Sequence, residues 1–387
     1  MQVGNSVYGS KQSIKVGLEK GHTENFLVWD DKTKRVILVV YHLLFSVAAF
    51  YLISEKGGDA QNYWFLNENL SEKNWQDFFR PGTDVVKWIA FPLVKYFHLP
   101  FWAGFIFFSL ISSLGVLLLY KVMMEISGNS KILNYFSVVL LLLPNFHFWS
   151  SIIGKEALLL PFLILIIFKL HRKQYFSPFI FGALFFIGLI RPHVAFILML
   201  SYILSLLIVI KSAMKYKLML LIVLGICTVV FTAILVRIQN FEGGVARVLH
   251  KYNTHMQYFK KTDAYVPMDQ YGLPLKIFTF YFRPLPFEKT GLGYVIVSWE
   301  NAVLFLFSLG TGFFALKFFK TLSKQILFVF PTILLLFIAL MYVFAYANYG
   351  IISRTKMMTL PFLFILMLTV MSAAFSKQNV QKKADKM

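Results

Sequence analysis

The chain has 387 residues, of which 58% are hydrophobic, 18% aromatic and only 14% charged. That balance excludes a soluble protein of two or three globular domains and describes a chain that lives in a bilayer. The formal net charge of +20 does not mark a nucleic-acid binder, because Lys and Arg sit in short clusters between apolar runs rather than on one basic face. Membrane lipids are the expected surroundings, and no nucleic-acid partner is expected.

Residues 1–35 are polar and carry Lys11, Lys15, Lys20, Lys32, Lys34 and Arg35, without the basic, apolar and small-residue order of a removable signal peptide. They read as a cytoplasmic segment ahead of an uncleaved signal anchor. A transmembrane bundle is expected over 36–375. Its apolar runs lie at 36–54, 99–120, 132–149, 157–170, 176–190, 194–210, 218–236, 296–316, 326–347 and 357–375, about ten in all, most of them close to the length that crosses a hydrocarbon core. The fold class is therefore an all-α polytopic membrane helical bundle. The short segments Lys121–Lys131, Lys169–Phe176, Lys211–Lys217 and Lys317–Gln325, and a tail at 376–387, are basic, which places them and both termini in the cytoplasm. Cys227 is the only cysteine and falls in an apolar run, so neither an intrachain disulfide nor a cysteine metal site is available.

Two long loops, 55–98 and 237–295, fall on the outer side. The turns Ser150–Glu156, Arg191–His193 and Asn348–Lys356 join them there. Val85–Pro100 and Leu273–Pro286 mix aromatic and aliphatic residues with single cations, the pattern of helices lying in the interface. The unusual polar residues cluster on this side. Asp59 follows Gly57-Gly58 and precedes Tyr63 and Trp64; His147 leads to Lys155 and Glu156; Arg191 is followed by Pro192 and His193; Arg283 precedes Glu288; Arg354 follows Asn348.

A charge at membrane depth costs about 2.5–3.5 kcal/mol on insertion scales, so such residues need partners or a wet cavity. Lys155, Arg191, Arg283 and Arg354 are the candidate lining of an anionic site, against the plainer reading that each snorkels to lipid headgroups. Asp59, Glu156 and Glu288 are the candidate catalytic acids, although Asp59 also suits a helix cap. Tyr63, Trp64, His147 and His193 complete the candidate binding set, with interfacial packing as the plainer reading of the aromatic and imidazole groups. There is no phosphate-binding Gly-rich loop ending in Lys-Ser or Lys-Thr, no Gly-x-Ser-x-Gly elbow and no His-Glu-x-x-His pair. A basic pocket with one exposed acid suits a lipid-linked phosphate substrate: cations stabilise the departing phosphate and the acid takes a proton from an attacking hydroxyl. A divalent cation is a further possible participant.

With the acid Asp59 in the first outer loop, interfacial helices in that loop and basic residues on later outer loops, the chain resembles the GT-C superfamily of integral membrane glycosyltransferases. That group includes polyprenyl-linked sugar transferases and the O-antigen-type polysaccharide polymerases of bacterial envelopes. The resemblance implies a bacterial inner membrane, a polyprenyl-(di)phosphate sugar donor, a saccharide acceptor and a GT-C-like helical fold. Many members carry a second acid close to the first, whereas here Asp59 is followed by Ala60-Gln61-Asn62, with Asp77 and Asp84 further on. The competing expectation is a transporter or flippase of lipid-linked saccharides. It calls for polar residues along the middle of several spans, and the runs read as nearly all Leu, Ile, Phe and Val.

Overall fold

The computed structural model describes residues 30–66, 72–211, 213–239 and 244–384. Expectations resting on residues 1–29, 67–71, 212, 240–243 and 385–387 lie outside the described residues. Among the described residues all regular structure is helical, apart from one isolated antiparallel bridge between Tyr265 and Asn348. In chain order the first helices are α1 (Asp31–Lys56), α2 (Asp59–Phe65), α3 (Asp84–Lys95), α4 (Phe101–Ser127), α5 (Lys131–Leu141) and α6 (Pro144–Ser150). They are followed by α7 (Lys155–His171), α8 (Pro178–Ile190), α9 (Pro192–Val209), α10 (Met214–Gln239), α11 (Gly244–Lys260) and α12 (Leu273–Phe282). The chain continues through α13 (Leu292–Lys317), α14 (Phe319–Leu322), α15 (Ile326–Tyr342), α16 (Tyr349–Lys356) and α17 (Leu360–Ala384).

Each expected apolar run is helical over most of its length, but the helices differ in reach. α1, α4, α9 and α13 are long and apolar enough to cross a bilayer. α5 with α6, and α16 with the 360–376 part of α17, pass the same test only as pairs bent by 46° and 56°, which gives four to six candidate spans. α7, α8 and α15 have 17, 13 and 17 residues, about 20–26 Å of helix against a hydrocarbon core of about 30 Å. The run at 132–149 is a pair of helices rather than one: Leu142 and Leu143 leave the helix, and Pro144, which has no N–H to continue it, starts a new one. The segments expected at the interface are helical over α3 and α12.

Local chemistry sets the joints. Asp30 opens α1 by accepting from the Thr33 N–H at 3.0 Å. Gly57 (φ 74°) and Gly58 (φ 143°) then turn the chain through backbone conformations that side chains disfavour, so α2 starts at Asp59 immediately beyond α1. Arg191 is extended because a proline follows, and this ends α8 and lets Pro192 open α9. Asn348 caps α16 by accepting from the N–H groups of Gly350 and Ile351 at 2.9 and 3.2 Å. The preceding strap is pinned by backbone bonds from Val266 N–H to Ala347 O and from Tyr349 N–H to Ala264 O, both 2.9 Å.

α4 is central, packing against α1, α5, α7 and α17. Small residues permit that approach. A Cβ on Gly115 would lie 3.0 Å from the backbone of Leu160 and Pro161 in α7, and one on Gly104 would lie 2.4 Å from the Trp64 ring and 2.7 Å from Ile153. Trp64 is itself buried and cannot swing away. Gly104→Ala should therefore lower stability by about 1–3 kcal/mol through overpacking, read as a fall in thermal midpoint of the detergent-solubilised protein; an unchanged midpoint would mean that α2 slides freely over α4.

Candidate functional site

One end of the bundle gathers charge from the starts of α2 and α7, the α8–α9 junction, the end of α15 and α16. Glu156 lies at its centre. Only 2% of its surface is exposed, and its two oxygens accept from Arg354 Nε at 2.9 Å and Nη2 at 3.0 Å in a fork. One of those oxygens also accepts from Arg191 Nη2. The remaining Nη1 of Arg354 reaches Asp59 Oδ2 at 2.6 Å, and the Asp59 side chain stays 55% exposed. Arg354 thus joins a buried carboxylate to an open one.

Around this core Arg191 Nη1 donates to the Tyr342 hydroxyl at 3.4 Å, and that hydroxyl contacts His193 Nε2 at 3.1 Å. Lys155 Nζ donates to Thr83 Oγ1 at 3.0 Å. Gly154 keeps the α7 start open, because a Cβ there would sit 3.3 Å from Glu156 Oε2. Burial and the neighbouring Asp59 carboxylate push the Tyr63 phenol up to about 12, so it stays a neutral hydrogen-bonding group beside Arg354. Two carboxylates, Asp59 and Glu156, face three cations, Lys155, Arg191 and Arg354. The cluster therefore carries an excess of one positive charge. Arg191 Nε is buried without a hydrogen-bond partner among the described residues.

Asp59, Tyr63, Lys155, Glu156, Arg191, His193 and Arg354, predicted separately from sequence, are thus brought together. Others go elsewhere. Trp64 is 2% exposed and packed on Gly104, so its ring offers no open face for a sugar. His147 is fully buried, because the break before Pro144 turns α6 against α1; its Nδ1 lies 2.9 Å from His42 Nδ1, and its Nε2 lies 2.5 Å from Leu141 O. His42 Nε2 in turn lies 2.7 Å from Ser112 Oγ. The reading of apolar span interiors is corrected by this seam, in which Ser109, Ser112, Ser150 and Ser151 are also fully buried.

Arg283 and Glu288 form a second cluster with one another. Arg283 Nε donates to both Glu288 oxygens at 2.8 and 2.9 Å, and its Nη1 donates to the Tyr271 hydroxyl at 2.9 Å. Glu288 also accepts from Leu285 N–H at 3.0 Å and the Tyr349 hydroxyl at 3.2 Å. Its oxygens are occupied in closing the 283–288 loop, which argues against the general-base role considered for it. Burial alone would favour a neutral Arg283, but the bonds it donates to Glu288 and Tyr271 outweigh it and hold the guanidinium charged. The two clusters share α16, which carries both Tyr349 and Arg354.

Sequence reasoning missed Tyr342, Thr83, His42 and Ser112. His42 alone had left a readable signal, an imidazole in the middle of an apolar run. For a divalent cation the donor set is poor: Asp59 and Glu156 are both bonded to arginine, and no group of three or more His, Cys, Asp or Glu converges among the described residues. No protein-family model, no curated protein and no solved structure matches the chain.

Proposed function

We propose that the chain is an integral membrane glycosyltransferase of GT-C type, acting on a polyprenyl-(di)phosphate-linked sugar at the outer face of a bacterial inner membrane in cell-surface polysaccharide or glycoconjugate synthesis. In this reading the bundle has about ten spans, the short helices α7, α8 and α15 included, with both termini cytoplasmic. The observation that carries the proposal is the half-open Asp59 carboxylate beside a cluster with one uncompensated positive charge.

The acceptor hydroxyl gives its proton to Asp59 as its oxygen bonds to the anomeric carbon. The sugar–phosphate bond breaks, and its electron pair leaves with the phosphate. Arg354 gives one N–H from each of its three nitrogens to Asp59 and Glu156, so its first role is to orient the base. Lys155, with one of its three N–H groups given to Thr83, and Arg191 Nε have donors left for the phosphate. His193, only partly buried, borders the acceptor, and the buried Tyr63 supports Arg354. The test is purified protein given a polyprenyl-linked oligosaccharide. A product ladder marks a polymerase and a single product a one-step transferase, whereas lipid translocation in liposomes without any glycosidic product would replace the proposal by a transporter. The buried seam of His42, Ser112 and His147 favours that second reading, since a flippase needs polar groups at mid-span.

A further inference from the structure

A second buried polar group lies where both broken helices change direction. Asn145 is the second residue of α6, directly after the α5–α6 break; Lys356 is the last residue of α16, directly before the α16–α17 break; Glu300 and Asn301 stand on the unbroken α13. All four are at most 4% exposed. Glu300 Oε2 accepts from the Asn145 backbone N–H at 2.7 Å, and Asn145 Nδ2 donates to Ser353 O on α16 at 3.3 Å. Lys356 Nζ does not close an ion pair with Glu300. It donates to Asn301 Oδ1 and to Tyr281 O, the latter at 3.3 Å, while Asn301 Nδ2 donates to Pro284 O at 3.0 Å.

This arrangement leaves the second oxygen of Glu300, Oε1, and the side-chain oxygen of Asn145, Oδ1, each buried with no donor among the described residues. Orphaned acceptors on both partners of an existing contact ask for something with a hydrogen to give. A metal ion is a poor answer, because two free oxygens are far fewer than the six or more that hard cations collect, and the Lys356 ammonium stands close by. The Lys356 ammonium gives two of its three N–H groups to Asn301 and Tyr281, and other titratable groups of the helices around Glu300 have partners elsewhere. Tyr41 of α1 gives its hydroxyl to Leu142 O at 2.8 Å, Tyr281 of α12 gives its own to Leu335 O at 2.5 Å, and Lys276 of α12 lies over the Phe344 ring at 4.6 Å. α17, which also packs against α13, has no acid, cation or imidazole between 360 and 375.

We infer that Glu300 holds one exchangeable proton on Oε1 and donates it to Asn145 Oδ1, making this junction a membrane-embedded proton-binding site. A single hydrogen then satisfies both orphans and removes an anion from the bundle interior. The site is independent of the glycosyltransferase reading, and it meets α16, the helix of Arg354, through the bond from Asn145 to Ser353.

Glutamine at position 300 copies the protonated acid, since its amide donates to Asn145 Oδ1 while its carbonyl accepts from the Asn145 N–H. The experiment is infrared spectroscopy of the full chain in detergent at neutral pH, paired with thermal midpoints. The wild type should show a protonated-carboxyl C=O band that shifts in deuterated buffer. The band should vanish in Glu300→Gln with little change in midpoint, and move in frequency in Asn145→Ala. Several results overturn the inference: no such band in the wild type, a band unchanged in either variant, a band abolished by added sodium, or a Glu300→Gln chain that unfolds because Lys356 has lost an anion.

Discussion

Glu156→Gln is expected to destabilise the bundle by about 3–5 kcal/mol, because removing one member of a buried charge network leaves its partners uncompensated. The variant keeps the size of the side chain but leaves Arg191 and Arg354 around a neutral amide in a site where Glu156 is 2% exposed. The fall should appear as a lower thermal midpoint and earlier aggregation on size-exclusion chromatography. Adding Arg191→Met to Glu156→Gln should restore part of the loss, since one of the two stranded cations is then gone. A Glu156→Gln protein as stable as the wild type would mean that water reaches the cluster and screens it. The fork from Arg354 would then be a surface contact.

Asp59→Asn should behave in the opposite way, folding normally and losing about 10² to 10⁴ in turnover, the range contributed by a positioned acid or base. Its ion pair with Arg354 involves a side chain 55% exposed, and such pairs contribute at most about 1 kcal/mol. Arg354 keeps both bonds to Glu156 when Asp59 is neutralised, so the framework stands while the base is lost. Asp59→Glu should recover little, because the longer side chain displaces the carboxylate from the acceptor hydroxyl. The measurement is sugar transfer from a polyprenyl-linked donor by protein matched for thermal midpoint. Wild-type turnover in Asp59→Asn would leave Asp59 only as a neighbour of Arg354, because asparagine caps a helix as well as aspartate does.

Much of this architecture can be read from the amino-acid sequence, because long runs of Leu, Ile, Phe and Val at helical length have few alternatives in a bilayer. The α8–α9 joint was equally visible in Arg191-Pro192, and the first turn in Gly57-Gly58. The break at Leu142 and Leu143 was harder to see. Pro144 marks it, but a proline near the end of an apolar run is as easily accommodated by neighbouring helices.

For the site, sequence identified which residues are costly in a membrane but not whom they meet. Arg354 finds Asp59 295 positions away and Glu156 198 positions away, separations no local pattern encodes. His147 was misplaced for a physical reason: Phe146, His147, Phe148 and Trp149 have the composition of an interfacial belt, and only the reversal after Leu143 turns the imidazole inward. Glu300 likewise meets Asn145, 155 positions away, through a backbone N–H rather than a cation.

The contact between His42 and His147 has a direction. Leu141 O can only accept, so His147 carries its hydrogen on Nε2 and presents a lone pair at Nδ1. Two hydrogens cannot share the 2.9 Å gap between the Nδ1 atoms, so His42 supplies the hydrogen there and has a lone pair at Nε2. Ser112 must then give its only hydroxyl hydrogen to His42 rather than to Ser109 O. The donors run one way, from α4 through α1 and α6 to the last carbonyl of α5. Every nitrogen in both rings is committed, so the pair holds a fixed electric polarity across four helices, and because Leu141 O has no hydrogen to give, the order of donors cannot be reversed.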